Sequence, residues 1–480
     1  MARYRDQTSP AISSPGAPDM RLHRLHARLA WLLLIIVVAA AIPLGSARPF
    51  FWALFAVLIG AAGLYYGLGL ERTNNGLRRT PIGWFAAVGF GVLCVFLLAQ
   101  ALPLPWPSGL VGDLMTRDGT VLALSQISLA PGNTLLMLVQ MLSYGLLVLL
   151  VTLVGANRYR RLRMLDALFL VIVVHAAYSV IALTQLGDIV LIFPKWAYEG
   201  VATGTFVNRN SFATYLAIGL VLGTALTLDE IGYRMGADRL TRAKDGGRPV
   251  RSLTLHIVGL LVVMSALLAT QSRMGAAAAL LGVLVVAIPL IAALPLRSSR
   301  RLLIGLAALV PAVALFQFYG LGLLERLGSV EGAADVRRDL YAQVIEMISA
   351  RPWAGYGGAA FEVAFPLFHR PPVSADLVWD KAHNTYLALW AELGIVVGSI
   401  PILILLWFGV RLLRSCVTSP DRVAQLVALG ALAAVALHSF VDFSLEIEAN
   451  ALLLLMLVAL GLAALRPRAS GKLSEGVDGK

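Results

Sequence analysis

The chain has 480 residues, is 59% hydrophobic and only 14% charged. Soluble domains carry about 25% charged residues, so this composition excludes an ordinary soluble protein. The formal net charge of +12 is not a nucleic-acid signature, because the basic residues sit in short blocks between apolar runs, as membrane orientation signals do.

Runs of roughly 20 apolar residues recur down the chain, each long enough to cross ~30 Å of hydrocarbon as a helix. They lack the polar–apolar alternation of barrel strands. The expected fold is all-α, a polytopic helical integral membrane protein of twelve spans. Residues 1–28 read as a polar tail rich in Pro, Ser and Arg. The apolar run after them has no small-residue cleavage site, so it is expected to stay as the first span. The spans are expected near 29–46, 50–70, 83–102, 134–155, 164–184, 210–228, 253–270, 275–294 and 302–319, then, after a large polar loop at 320–384, near 385–410, 422–441 and 449–465. Residues 466–480 form a tail. Pro43, Pro289 and Pro311 predict local kinks.

Most of the 39 Lys and Arg residues fall in one set of loops, which places that set and both termini in the cytoplasm. The outer side then holds the loop at 103–133, a second at 185–208, a tight turn at 271–274, the large loop, and a short acidic connection at 442–448. Within the large loop, Val336, Leu340, Val344 and Met347/Ile348 recur at helical spacing and predict an amphipathic helix over 333–350, lying on the membrane surface or under a lid. Pro352 stops it, Gly355 to Gly358 make a turn, and Phe361, Phe365 and Phe368 supply an aromatic face near the interface. Cys94 and Cys416 are placed for neither a disulfide framework nor a metal site.

Arg209 opens the sixth span, flanked by Asn208, Asn210 and Ser211. Alone it is equally an interfacial arginine that snorkels to headgroups. The density of polar neighbours and the position at a helix N-terminus favour an anion site. Arg273 sits in a turn too short to leave its side chain much freedom. Two arginines on one face can clamp a diphosphate, since guanidinium groups match phosphate oxygens bidentately and stay charged. No Asp-x-Asp pair stands on the outer side, so no metal is implied. His383 can exchange a proton near neutral pH and so orient or deprotonate an acceptor hydroxyl; its bland alternative is an interfacial histidine. Asn384, Tyr386 and Glu392 support the turn and the span. Arg338 lies on the loop helix, where a solvated face is the simpler account. His438 and Asp442, four apart, are expected to share a helix face as a hydrogen-bonded pair. Lys195 and Glu199 are candidate sugar contacts.

Three stretches carry a resemblance to the bacterial O-antigen ligase and polysaccharide polymerase superfamily: Gly204-Thr-Phe-Val-Asn-Arg-Asn-Ser-Phe-Ala-Thr-Tyr-Leu, the stretch from Arg338 to Phe361 with Arg351-Pro-Trp-Ala-Gly-Tyr-Gly, and Ala382-His-Asn-Thr-Tyr-Leu-Ala-Leu-Trp-Ala-Glu-Leu-Gly. The likeness spans roughly residues 130 to 450. It implies a glycosyltransferase C-like membrane enzyme that takes a glycan from undecaprenyl diphosphate at the periplasmic face of the bacterial inner membrane. The implied transfer is inverting, independent of metal and free of cofactor. The family's paired arginines map onto Arg209 and Arg273, its loop histidine onto His383, and a further basic position onto Arg338. Asn208, Asn210 and Asn384 are expected beside the substrate. The implied partners are the lipid-linked donor, an acceptor that is lipid A core for a ligase or a second lipid-linked glycan for a polymerase, and membrane lipids, with no nucleic acid. Ligase is preferred to polymerase. A lipid-linked sugar transporter or flippase, and a structural envelope protein, are the readings from other classes.

Overall fold

The computed structural model describes residues 17–71, 80–104, 106, 114–115, 119–122, 125–236, 252–301, 327–376, 378–418 and 422–465. The expected span at 302–319, with Pro311, lies outside the described residues, as do the two tails up to residue 16 and from residue 466.

Eight described helices are long and apolar enough to cross a membrane. They are α1 (Ala17–Ala40), α2 (Pro49–Glu71), α3 (Trp84–Ala101), α4 (Pro131–Val154), α5 (Arg158–Thr184), α6 (Arg209–Arg234), α8 (Arg273–Ala292) and α12 (Ile400–Thr418). Four shorter apolar helices join them: α7 (Leu253–Ala269), α11 (Thr385–Gly398), α13 (Val423–His438) and α14 (Glu448–Ala463). The large loop contributes α9 (Leu327–Ala350) and one turn, α10 (Phe361–Ala364). Strand structure among the described residues amounts to two small hairpins, Leu114–Met115 with Val121–Leu122 and Ile189–Val190 with Phe193–Pro194. The polytopic helical class is therefore the observed one.

Helix α6 is the centre of the bundle. It is buried on nearly every face, as expected of a helix apolar all round, and packs against α5, α7, α8 and α13. Small residues allow a close crossing beside it: Gly282 of α8 and Gly430 of α13 face one another so tightly that a Cβ on either would lie 2.7 Å from the other's carbonyl oxygen. Close approach through small residues is how helices gain dispersion contacts where lipid supplies no hydrophobic drive.

Three expectations are corrected. The first helix begins at Ala17 and ends at Ala40, well before residue 46; Pro43 lacks the N–H to continue it, and a 3-10 turn at Leu44–Ser46 follows. The expected span 385–410 is two helices. The second starts at Ile400, and the first is itself interrupted at Gly394, whose φ of 72° and ψ of 164° lie in a region open essentially to glycine alone. The loop-helix face is displaced too. Leu340, Val344 and Met347 are fully buried, but Val336 is 38% exposed. Phe361 and Phe365, expected at the interface, stack at 5.2 Å inside a core that those α9 residues complete. The large loop thus forms its own apolar core against α11.

The break in α11 frees backbone groups that must be paired away from water. The turn after Pro352 pairs them. Tyr356 N–H donates to Ala391 O at 3.0 Å, Gly357 N–H to Glu392 O at 3.0 Å, and Ile395 N–H to Pro352 O at 2.7 Å. Gln100 of α3 closes the joint, donating through Nε2 to Ala354 O (2.7 Å) and Glu392 O (3.0 Å) and accepting Gly358 N–H through Oε1 (3.3 Å). An added Cβ at Gly394 would sit inside the Trp353 carbonyl. Gly394→Ala is therefore expected to cost about 3 kcal/mol or more, combining backbone strain with that clash. The check is the thermal midpoint of the purified protein in detergent, which should fall clearly; an unchanged midpoint would mean that the break is not needed.

Candidate functional site

Three helices begin at one end of the bundle, and each begins with a capped turn. Asn208 caps α6, its Oδ1 accepting from the N–H groups of Asn210 (2.7 Å) and Ser211 (3.3 Å). Ser272 caps α8, its Oγ accepting from Gly275 N–H at 3.2 Å. Asn384 caps α11, accepting from Tyr386 N–H (3.0 Å) and Leu387 N–H (3.1 Å). Such caps satisfy the otherwise orphaned first N–H groups of a helix. Next to each cap stands one candidate: Arg209 and Arg273 at the first positions of α6 and α8, and His383 just before α11. The asparagines Asn208 and Asn384 thus have structural duties. Their amide nitrogens are also engaged, Asn208 with Tyr198 Oη (3.1 Å) and Asn384 with Phe440 O (2.9 Å).

Arg209 and Arg273 feel one another's charge, and Arg209 also feels that of Arg337. The Arg209 guanidinium lies 5.8 Å from the centre of the Tyr198 ring, and its Nε is buried with no hydrogen-bond partner among the described residues. Arg273 is exposed. Like charges drawn together with a donor unmatched describe a site prepared for an anion.

Arg337 is the residue that reading the sequence missed. It is half-buried on α9, whereas its neighbour Arg338, the predicted contact, is exposed. The charge of Arg337 reaches Tyr198, Arg209, Tyr341, His383, His438 and Asp442. Successive helical residues differ by about 100° in direction, so two adjacent arginines cannot both face the cluster. Tyr341, four residues beyond Arg337, is its neighbour on that face. Tyr341 Oη donates to His383 O (2.8 Å) and Phe440 O (3.3 Å).

That tyrosine bond helps to hold His383 in a left-handed conformation, φ 51°, which is uncommon for a residue with a side chain. Further bonds tie the turn to the end of α13: Thr385 N–H donates to Ser439 O (3.0 Å) and Thr385 Oγ1 to Asp442 O (3.2 Å). The imidazole lies edge-on to Phe443 at 5.0 Å and Trp379 at 6.0 Å. Burial, with the charges of Arg337 and Lys381 and against that of Asp380, pushes its pKa down to about 4. The ring is therefore neutral at pH 7. Lys381 itself is held by Glu446 at 2.8 Å.

His438 and Asp442 do not share a helix face, because α13 ends at His438. They are joined instead through α6. Thr214 Oγ1 lies 2.5 Å from His438 Nδ1 and 2.9 Å from Ser444 Oγ, and Ser444 Oγ in turn donates to Asp442 Oδ2. The Asn210 side chain reaches the same carboxylate. Burial raises the Asp442 pKa to about 6, against the lowering effects of Ser444, Arg337 and Asn210. Asn210 thus links the start of α6 to this buried acid. Lys195, a suggested sugar contact, is instead buried in an ion pair with Asp188 and donates to Val201 O at 2.6 Å.

No curated protein matches the chain. Residues 258–402 match the family described as O-Antigen ligase. That segment contains Arg273, Arg337, Arg338, His383 and Asn384, together with the joint at Gly394, while Arg209 and its two asparagines precede it and Asp442 follows it. Over residues 258–402 the chain is thus similar to O-antigen ligases.

Proposed function

We propose that this protein transfers a glycan from undecaprenyl diphosphate to an acceptor hydroxyl at the periplasmic face of the bacterial inner membrane, and that the acceptor is lipid A core. The observation that carries the reading is the gathering of Arg209, Arg273 and Arg337, from three separate helices, beside a neutral imidazole. The acceptor oxygen attacks the anomeric carbon as the bond from that carbon to the phosphate oxygen breaks. The acceptor proton passes to His383, and the diphosphate leaves with its charge held by the guanidinium groups. Electrostatic stabilisation of a departing anion in a partly buried site is commonly the largest single contribution to such a rate. Arg338, exposed on the same helix, is positioned to meet the glycan beyond the phosphates, and Asn208, Asn210 and Asn384 hold the groups around them.

Two features support displacement over transport. Arg209 and Arg273 stand at helix starts rather than along the length of the bundle, and the buried length of α6 from Leu216 to Gly223 is apolar, whereas a path for a lipid-linked sugar head needs polar lining through the membrane. The test supplies purified protein with a lipid-diphosphate glycan and, in parallel, lipid A core or a second lipid-linked repeat. Glycan joined to lipid A core is the expected product. Elongated lipid-linked glycan would make the enzyme a polymerase, and no product with either acceptor would overturn the reading.

A further inference from the structure

The end of α5 opposite the site carries a second group of arginines. A cavity of about 180 Å³ opens there between α1 and α5. Its walls include His23, Trp31 and Leu34 from α1, and Arg160, Arg163 and Met164 from α5. Arg160 is anchored through its backbone, whose N–H donates to the capping Asn157 Oδ1 at 2.9 Å. Its Nε and Nη1 are buried with no hydrogen-bond partner among the described residues. Arg163 is spread over two rings, 5.7 Å from the centres of both Trp31 and Tyr159. No carboxylate among the described residues pairs with either arginine.

A buried guanidinium with unmatched donors is costly unless an anion completes it. Two guanidiniums and a helix N-terminus suit a phosphate. The rest of the cavity says what carries that phosphate. His23 and the arginines lie towards the helix ends, while Leu34 is eleven residues further along α1, about 16 Å deeper at 1.5 Å per residue. Trp31 is 49% exposed, so the apolar side opens to the surface where the membrane would be. A charged rim above an apolar slot fits an amphiphile, and basic pockets between spanning helices are a recognised way to hold anionic lipid headgroups. The chain's own first 16 residues are a poor occupant, since they carry Arg3 and Arg5 against one acid, Asp6.

We propose that this cavity binds the phosphodiester headgroup of an anionic membrane lipid, with one acyl chain running along Trp31, Leu34 and Met164. The test is native mass spectrometry of the full chain titrated with phosphatidylglycerol, phosphatidylcholine or inorganic phosphate. Phosphatidylglycerol should be retained in preference to phosphatidylcholine, and Arg160→Gln with Arg163→Gln should weaken it roughly tenfold or more, as expected for losing charge-assisted bonds. Ala27→Phe, which fills the cavity and keeps both charges, should weaken it as well. Arg160→Lys should retain the lipid, showing that the loss is not misfolding. Equal retention of the two lipids, or phosphatidylglycerol binding untouched by the double variant and by Ala27→Phe, would overturn the proposal. So would displacement by equimolar inorganic phosphate, which would identify a free-phosphate site, or lipid binding that appears only after residues 1–16 are removed, which would identify the tail as the occupant.

Discussion

Arg337→Ala is expected to lower glycan transfer by on the order of a hundredfold, while Arg338→Ala, one residue further along the same helix, leaves the turnover rate within a few-fold. The difference follows from direction. Arg337 is half-buried and its charge reaches Arg209, His383 and Asp442, so it contributes to the field that a departing diphosphate meets. Arg338 is exposed and can touch only parts of the donor or acceptor outside that field, an effect that would fall on KM. Steady-state kinetics of both variants with a lipid-diphosphate glycan make the check. Equal losses would mean that the loop helix is rotated during turnover, or that neither arginine meets the phosphates.

His383→Ala is the second large effect, a loss of about 10²–10⁴-fold in turnover if the imidazole takes the acceptor proton. His383→Gln, which can accept a hydrogen bond but not keep a proton, should be nearly as inactive; substantial rescue by Gln would assign an orienting role instead. The pH profile gives an independent readout. A base works in its neutral form, and burial with Arg337 and Lys381 holds the free site's imidazole neutral down to about pH 4. Activity per free enzyme, kcat/KM, should therefore show no imidazole break at 6.5. A bound diphosphate brings negative charge beside the same cations, which favours the protonated ring, so the acid limb of kcat should lie at higher pH than that of free His383. Asp442 also titrates, near 6. Its protonation leaves the arginines less neutralised and tightens phosphate binding, which lowers KM as pH falls. Reading kcat at saturating donor separates the two groups.

The same shifts have opposite signs in stability. His383 binds fewer protons folded than unfolded between about 4 and 6.5, so it favours the folded state less as pH falls through that window. Asp442 binds more protons folded between 3.8 and about 6, so its contribution is lost as pH rises through that range.

Much of this arrangement is legible in the sequence because it is written in local chemistry. Asn208, Ser272 and Asn384 stand just before apolar runs, so the three helix starts, and the candidates beside them, follow from capping preference alone. The spans follow from apolar length. What is not legible depends on packing between distant segments. The pair Arg337-Arg338 reads as one basic spot, and only the rotation of α9 over its buried face separates the two. Gly394 lies in a mostly apolar run, two residues after Glu392, and glycine is common within spanning helices, so its break does not stand out; the partner that makes the break stable is the turn at 352–358. The link from His438 to Asp442 looks like a spacing of four on one helix, yet it is made through Thr214 of α6 and Ser444.

Arg209, Arg273 and Arg337, drawn from three helices, are proposed to hold one diphosphate. The most direct measurement is an experimental structure of the protein with undecaprenyl diphosphate bound. The two phosphates should lie between Arg209, Arg273 and Arg337, with His383 on the side open to an acceptor. Phosphates bound elsewhere, with those three guanidiniums contacting none of their oxygens, would contradict it.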